Sequence, residues 1–99
     1  MKTDIKKLIG VVCGYFKISE ADFLSSSRKK ELVYARQLTW YIMKNNLNLT
    51  YQRIGSIFGG KDHSTIMHAY DKIAENIKLD PNLESKINIL IREIKEYKK

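Results

Sequence analysis

The chain is poor in the residues that build several common classes of protein. Cys13 is its one cysteine, so no disulfide can form within the chain, and its place in the apolar run from Ile9 to Phe16 reads as a buried structural thiol. Pro81 is the one proline, and no hairpin signal joins two alternating runs, so the usual sequence signs of a β-sheet are missing. No segment approaches membrane-spanning length, and Met1-Lys2-Thr3-Asp4 lacks the apolar run of a signal peptide, so the chain reads as cytoplasmic with no membrane partner. Acidic residues are scarce beside basic ones: 11 Asp and Glu face 18 Lys and Arg, a formal net charge of +7 and a pI near 9.5. A compact domain with that imbalance repels itself unless an anionic surface neutralises it, and nucleic acid is the commonest such surface. A small basic protein that binds no polyanion is the plainer alternative.

What is present is helical. The hydrophobic share of 43% is that of a folded chain, and 99 residues suffice for one domain, 1–99, with a small core. Ile5, Leu8, Ile9, Val12, Cys13 and Phe16 form one stripe over residues 4–16, the pattern of a first helix. Ser19 followed by Asp22 resembles a capping box for a short turn carrying Ala21, Phe23 and Leu24, which Ser25-Ser26-Ser27 ends. From Glu31 to about Asn46, Leu32, Val33, Ala35, Leu38, Tyr41, Ile42 and Met43 cover much of a circumference, with Arg36, Gln37, Thr39, Trp40 and Lys44 among them; this predicts a central helix frayed by Asn45-Asn46. Thr50 caps a short helix through Phe58, and a longer one runs from Asp62 to about Lys78. Asp80-Pro81 opens a last helix with Leu83, Ile87, Leu90, Ile91, Ile94 and Tyr97 on its apolar face. The expected fold is all-α and compact, with about five to six helices, including a helix-turn-helix at about 50–78.

Charge is not spread evenly. Residues 1–46 carry nine basic and four acidic side chains, whereas residues 79–99 carry five and four, so the excess sits with Arg28-Lys29-Lys30 and the last helix looks structural. Three cations at a helix N-terminus oppose the macrodipole, a small penalty that a bound anion would recover. A solvated basic face is the other reading of the cluster.

The stretch from Ile54 to His68 organises the rest. Gly59 and Gly60 can take positive φ and let two helices meet, Asp62 is a good N-cap, and His63, Ser64 and Thr65 fill an exposed first turn. Behind them Ile66, Ala69, Tyr70, Ile73 and Ile77 anchor the helix. Small polar groups at a capped helix start suit base edges in a major groove: the carboxylate can accept from cytosine, the imidazole can bond a base or phosphate, and the threonine methyl can meet a thymine methyl. Lys44, Arg53 and Lys61 would be positioning contacts, and Arg28, beside the serine run, suits a minor groove.

Other chemistries fit less well. His63 and His68 are five apart with no second cysteine, which argues against zinc, and adjacent Asp62, His63 and Ser64 point in different directions on a helix, which argues against a hydrolytic triad. Gly59-Gly60-Lys61 lacks the full phosphate loop and its strand, so no nucleotide site, enzyme activity or cofactor is expected. His68 reads as a packing residue, and Trp40 and Tyr41 as core or near-surface packing. RNA or single-strand binding and a helical protein-interaction module stay open beside duplex binding.

The run Gly59-Gly60-Lys61-Asp62-His63-Ser64-Thr65-Ile66-Met67-His68-Ala69 resembles the signature of the C-terminal DNA-binding domain (domain IV) of the bacterial replication initiator DnaA. Val33-Tyr34-Ala35-Arg36-Gln37 and Ile54-Gly55-Ser56-Ile57-Phe58 resemble two further segments of that pattern, and the likeness covers about residues 4–95. The resemblance implies a Trp-repressor-like helical fold that binds DnaA boxes, short asymmetric repeats in the replication origin, one domain per box. It implies Asp62, His63, Ser64 and Thr65 as major-groove readers, Arg28 as the minor-groove arginine, and Lys44, Tyr51, Gln52 and Lys61 as backbone or flanking contacts, beside which Lys29, Lys30 and Arg53 fall. Gln52 stands where many members have proline, and Ser64 replaces a common threonine. A longer parent chain with an AAA+ ATPase module that binds ATP and oligomerises is implied too, and nothing in this sequence supplies it.

Overall fold

The computed structural model describes residues 3–96, which form six helices: α1 (Thr3–Phe16), α2 (Glu20–Leu24), α3 (Lys30–Asn46), α4 (Tyr51–Ile57), α5 (His63–Leu79) and α6 (Pro81–Glu96). The all-α expectation holds, and α4 and α5 fall within about a residue of the expected helix-turn-helix. Tyr97, assigned above to the last apolar face, lies outside the described residues.

Helix α3 is the hub, packing against each of the other five helices. One buried cluster draws Leu8 and Val12 from α1, Phe23 from α2, Leu38, Ile42 and Met43 from α3, Ile54 from α4, Ile66 and Ile73 from α5, and Leu90 from α6. Burial of this apolar surface is what holds helices too short to persist alone. Of the short α2 turn only Phe23 is buried, while Ala21 and Leu24 face solvent.

The expected caps form. Ser19 Oγ accepts from the Asp22 N–H at 3.0 Å, Thr50 Oγ1 from the Arg53 N–H at 3.0 Å, and Asp80 Oδ1 from the Asn82 N–H at 3.0 Å. Two helix ends use a left-handed residue that is not glycine. Lys17 (φ 57°) lets the Ile18 N–H reach the Cys13 carbonyl, and Asn48 (φ 57°) lets the Leu49 N–H reach the Met43 carbonyl. Helix α3 therefore ends at Asn46, where the asparagine pair marks it in the sequence, and the left-handed Asn48 completes the stop.

Candidate nucleic-acid interface

The turn between α4 and α5 is built on Gly55. Its carbonyl accepts from the N–H groups of Gly60 (2.9 Å) and Lys61 (3.0 Å), which folds the chain back on α4. The backbone comes so close that a Cβ on Gly55 would overlap the Lys61 carbonyl oxygen. Gly59 and Gly60 both have φ of +80°, the left-handed region where a side chain is strained. The turn delivers Asp62 in extended backbone (φ −61°, ψ 139°) as the cap of α5, its Oδ2 accepting from the Ser64 N–H at 3.2 Å. His63 Nδ1 lies 3.6 Å from Asp62 Oδ1, with both side chains more than half exposed. Asp62, His63 and Thr65 are exposed and Ser64 and Lys61 half-buried, while Ile66, Ala69 and Ile73 are buried beneath them. The helix thus presents a polar tip on an apolar shaft.

Arg28 reaches this tip by a different route. It is exposed in the loop before α3, and that loop is pinned from below by Arg36, which is only 4% exposed. The Arg36 Nε donates to the Phe23 carbonyl at 2.8 Å, one terminal nitrogen donates to the Asp22 and Ser25 carbonyls at 3.0 Å each, and the other donates to the Ser27 carbonyl. Four carbonyl dipoles compensate the buried guanidinium, and burial pulls its pKa below the usual arginine value. Lys29 takes the N-cap position of α3 without a side-chain cap bond, and Lys30 begins the helix; both are exposed.

Ser26, Arg28, Gln37, Trp40, Lys61 and Thr65 border one surface depression of about 450 Å³ between α3 and α5. Residues far apart in sequence, Arg28 on one side and Lys61 and Thr65 on the other, therefore share a rim. An adjoining hollow of about 350 Å³ is bordered by Gln37, Trp40, Thr65, His68 and Lys72. His68 is exposed there, so its reading as a packing residue is corrected: at this register the α5 face turns from the core to the hollow. Trp40 does pack, 5% exposed and edge-on to Phe58 at 5.6 Å, but its buried indole Nε1 has no hydrogen-bond partner among the described residues.

The remaining flanking residues gather at the start of α4. Gln52 and Arg53 are exposed in its first turn, and the Lys44 ammonium lies 4.6 Å from the centre of the half-buried Tyr51 ring. Tyr51 meets Tyr70 edge-on at 6.1 Å, and Tyr70 stacks on Tyr41 at 4.9 Å. Burial, with neighbouring Asp71 and Tyr70, raises the Tyr51 pKa, so its hydroxyl stays a neutral donor through the physiological range. Sequence reasoning assigned no role to Gln37, Lys72 or the Arg36 clamp. Only the side-by-side placement of α3 and α5 reveals the first two.

Residues 5–73 match a sequence family described as "Bacterial dnaA protein helix-turn-helix". The chain belongs to that family. The DnaA match runs from α1 into α5 and ends before α6, which adds Leu83, Ile87 and Leu90 to the core. Similar proteins include the chromosomal replication initiator protein DnaA of Levilactobacillus brevis, 44% identical over 79 residues, or 80% of this chain and 18% of that one. The protein of the same name from Lactobacillus helveticus is 40% identical over 83 residues, 84% of this chain and 18% of its own length. That of Trichormus variabilis is 39% identical over 88 residues, 89% of this chain and 19% of its own length. Under a fifth of each of these DnaA relatives is therefore matched.

Proposed function

We propose that the chain binds double-stranded DNA sequence-specifically at DnaA boxes in the chromosomal replication origin, as the origin-recognition part of a replication initiator. The observation that carries this reading is the first turn of α5: a capped helix start, exposed and polar, held forward by the Gly55 turn. A recognition helix reads base edges with its N-terminal residues, while the preceding helix crosses the backbone. In this reading Asp62, His63, Ser64 and Thr65 meet base edges in the major groove. Asp62 can serve as cap and acceptor together, since its Oδ2 takes the Ser64 N–H and leaves lone pairs free.

Arg28 enters the adjacent minor groove. Major and minor grooves are separated by one phosphate strand, and Arg28 and Thr65 border one depression, so a single duplex laid across it meets both. Lys29, Lys30 and Lys61 then face phosphates on the near side, and Lys44, Tyr51, Gln52 and Arg53 at the start of α4. Those contacts fix register and make binding salt-dependent, while base edges supply selection. The parent chain works in the cytoplasm and carries an AAA+ ATPase module that oligomerises, an activity separate from this segment.

Alanine variants test the reading. His63→Ala and Thr65→Ala are expected to lower affinity for a box duplex by about tenfold or more while leaving scrambled duplex nearly unchanged. Equal losses on both duplexes would rule out base reading by this turn.

A further inference from the structure

Three helices each bring a tyrosine to one place: Tyr41 from α3, Tyr51 from α4 and Tyr70 from α5. Tyr70 stacks on Tyr41 with ring planes 20° apart, and its hydroxyl donates to Asn45 Oδ1 at 3.4 Å, so α3 meets it at one ring face and at its tip. Its other neighbour is Tyr51, met edge-on, and the Tyr51 ring carries the Lys44 ammonium. A lysine side chain has large rotamer freedom, which it must surrender to hold a phosphate. An ammonium already seated on an aromatic ring has surrendered part of it, and still has N–H donors free for an anion.

We propose that Tyr70 is a positioning residue for DNA: through Tyr51 it holds the Lys44 ammonium where a backbone phosphate takes it up. The inference rests on the duplex-binding reading above and adds a residue from the shaft of α5 to it. The Tyr41–Tyr70 stack sets the Tyr51 ring, and the ring sets the lysine.

The test is a double-mutant cycle on the whole chain, titrated with box and scrambled duplexes over a salt series. Lys44→Gln is expected to reduce the slope of log affinity against log salt by about one. Tyr70→Leu is expected to weaken box binding about two- to fivefold in the wild-type background and not at all in the Lys44→Gln background. Tyr70→Phe, which keeps the stack, restores wild-type binding. If Tyr70→Leu does not fold, Tyr41→Leu, which removes the stack that holds Tyr70, carries the same cycle. Equal losses in both backgrounds would reduce Tyr70 to a packing residue, and an unchanged slope in Lys44→Gln would remove the phosphate; either overturns the inference while box preference stands. A wild-type chain that does not prefer the box overturns the duplex reading itself.

Discussion

Gly55 and Lys61 lock the helix-turn-helix: the Gly55 carbonyl accepts the Lys61 N–H at 3.0 Å, while the Lys61 carbonyl fills the space where a Gly55 side chain would begin. Helical propensity alone would favour alanine at this position. The close approach reverses the preference. Gly55→Ala is expected to lower stability by about 3 kcal/mol, at the upper end of overpacking penalties, measured by thermal unfolding. A variant as stable as wild type would show that the turn gives way freely.

Arg36 donates to four backbone carbonyls, two in α2 and two in the loop that carries Arg28, and is nearly fully buried. Arg36→Met keeps much of the apolar stem but removes every donor. It is expected to cost about 2 kcal/mol. It should also weaken DNA binding, because Arg28 loses its fixed place. Arg28→Ala, by contrast, should leave the melting temperature within about a degree or two, since exposed substitutions away from caps and cores change stability little.

Lys17 ends α1 in the left-handed region that glycine occupies without strain. Lys17→Gly is expected to raise stability by about 0.5–1 kcal/mol, read from the denaturation midpoint. Asn48→Gly should gain less, because asparagine tolerates this conformation better than lysine.

Burial, with a smaller contribution from Glu20, pushes the Cys13 thiol from 9.0 up to about 11. The native thiol is expected to react with alkylating reagents far more slowly than free cysteine at pH 8, and to react readily once the chain is unfolded. The folded state favours the protonated form, so its contribution to stability is complete below pH 9 and is lost as pH rises towards about 11. Cys13→Ala should flatten that part of the stability profile.

The helices were legible because their signals are local. Ser19, Thr50, Asp62 and Asp80 each cap the helix start they mark, and the apolar stripes of α1, α5 and α6 face the core. The polar tip of α5 was legible for the same reason, since a cap and a glycine pair stand side by side in sequence. Arg36 was not, because its partners are carbonyls 9 to 14 residues away, and a carbonyl leaves no mark on residue identity. The end of α3 at Asn46 was legible from Asn45-Asn46, but the left-handed φ of Asn48 that completes the stop was not. The role of Tyr70 depends on a ring 29 residues before it in α3, and its own spacing marks it only as part of the shaft.

The most direct test is titration of the chain against a fluorescent duplex holding one DnaA box and against a scrambled duplex, at low and near-physiological salt. Affinity for both is expected to fall as salt rises while the preference for the box persists, because phosphate contacts are salt-sensitive and base contacts far less so. Equal affinity for the two duplexes at both salt concentrations would contradict it, leaving a basic helical fold whose exposed first turn reads no base.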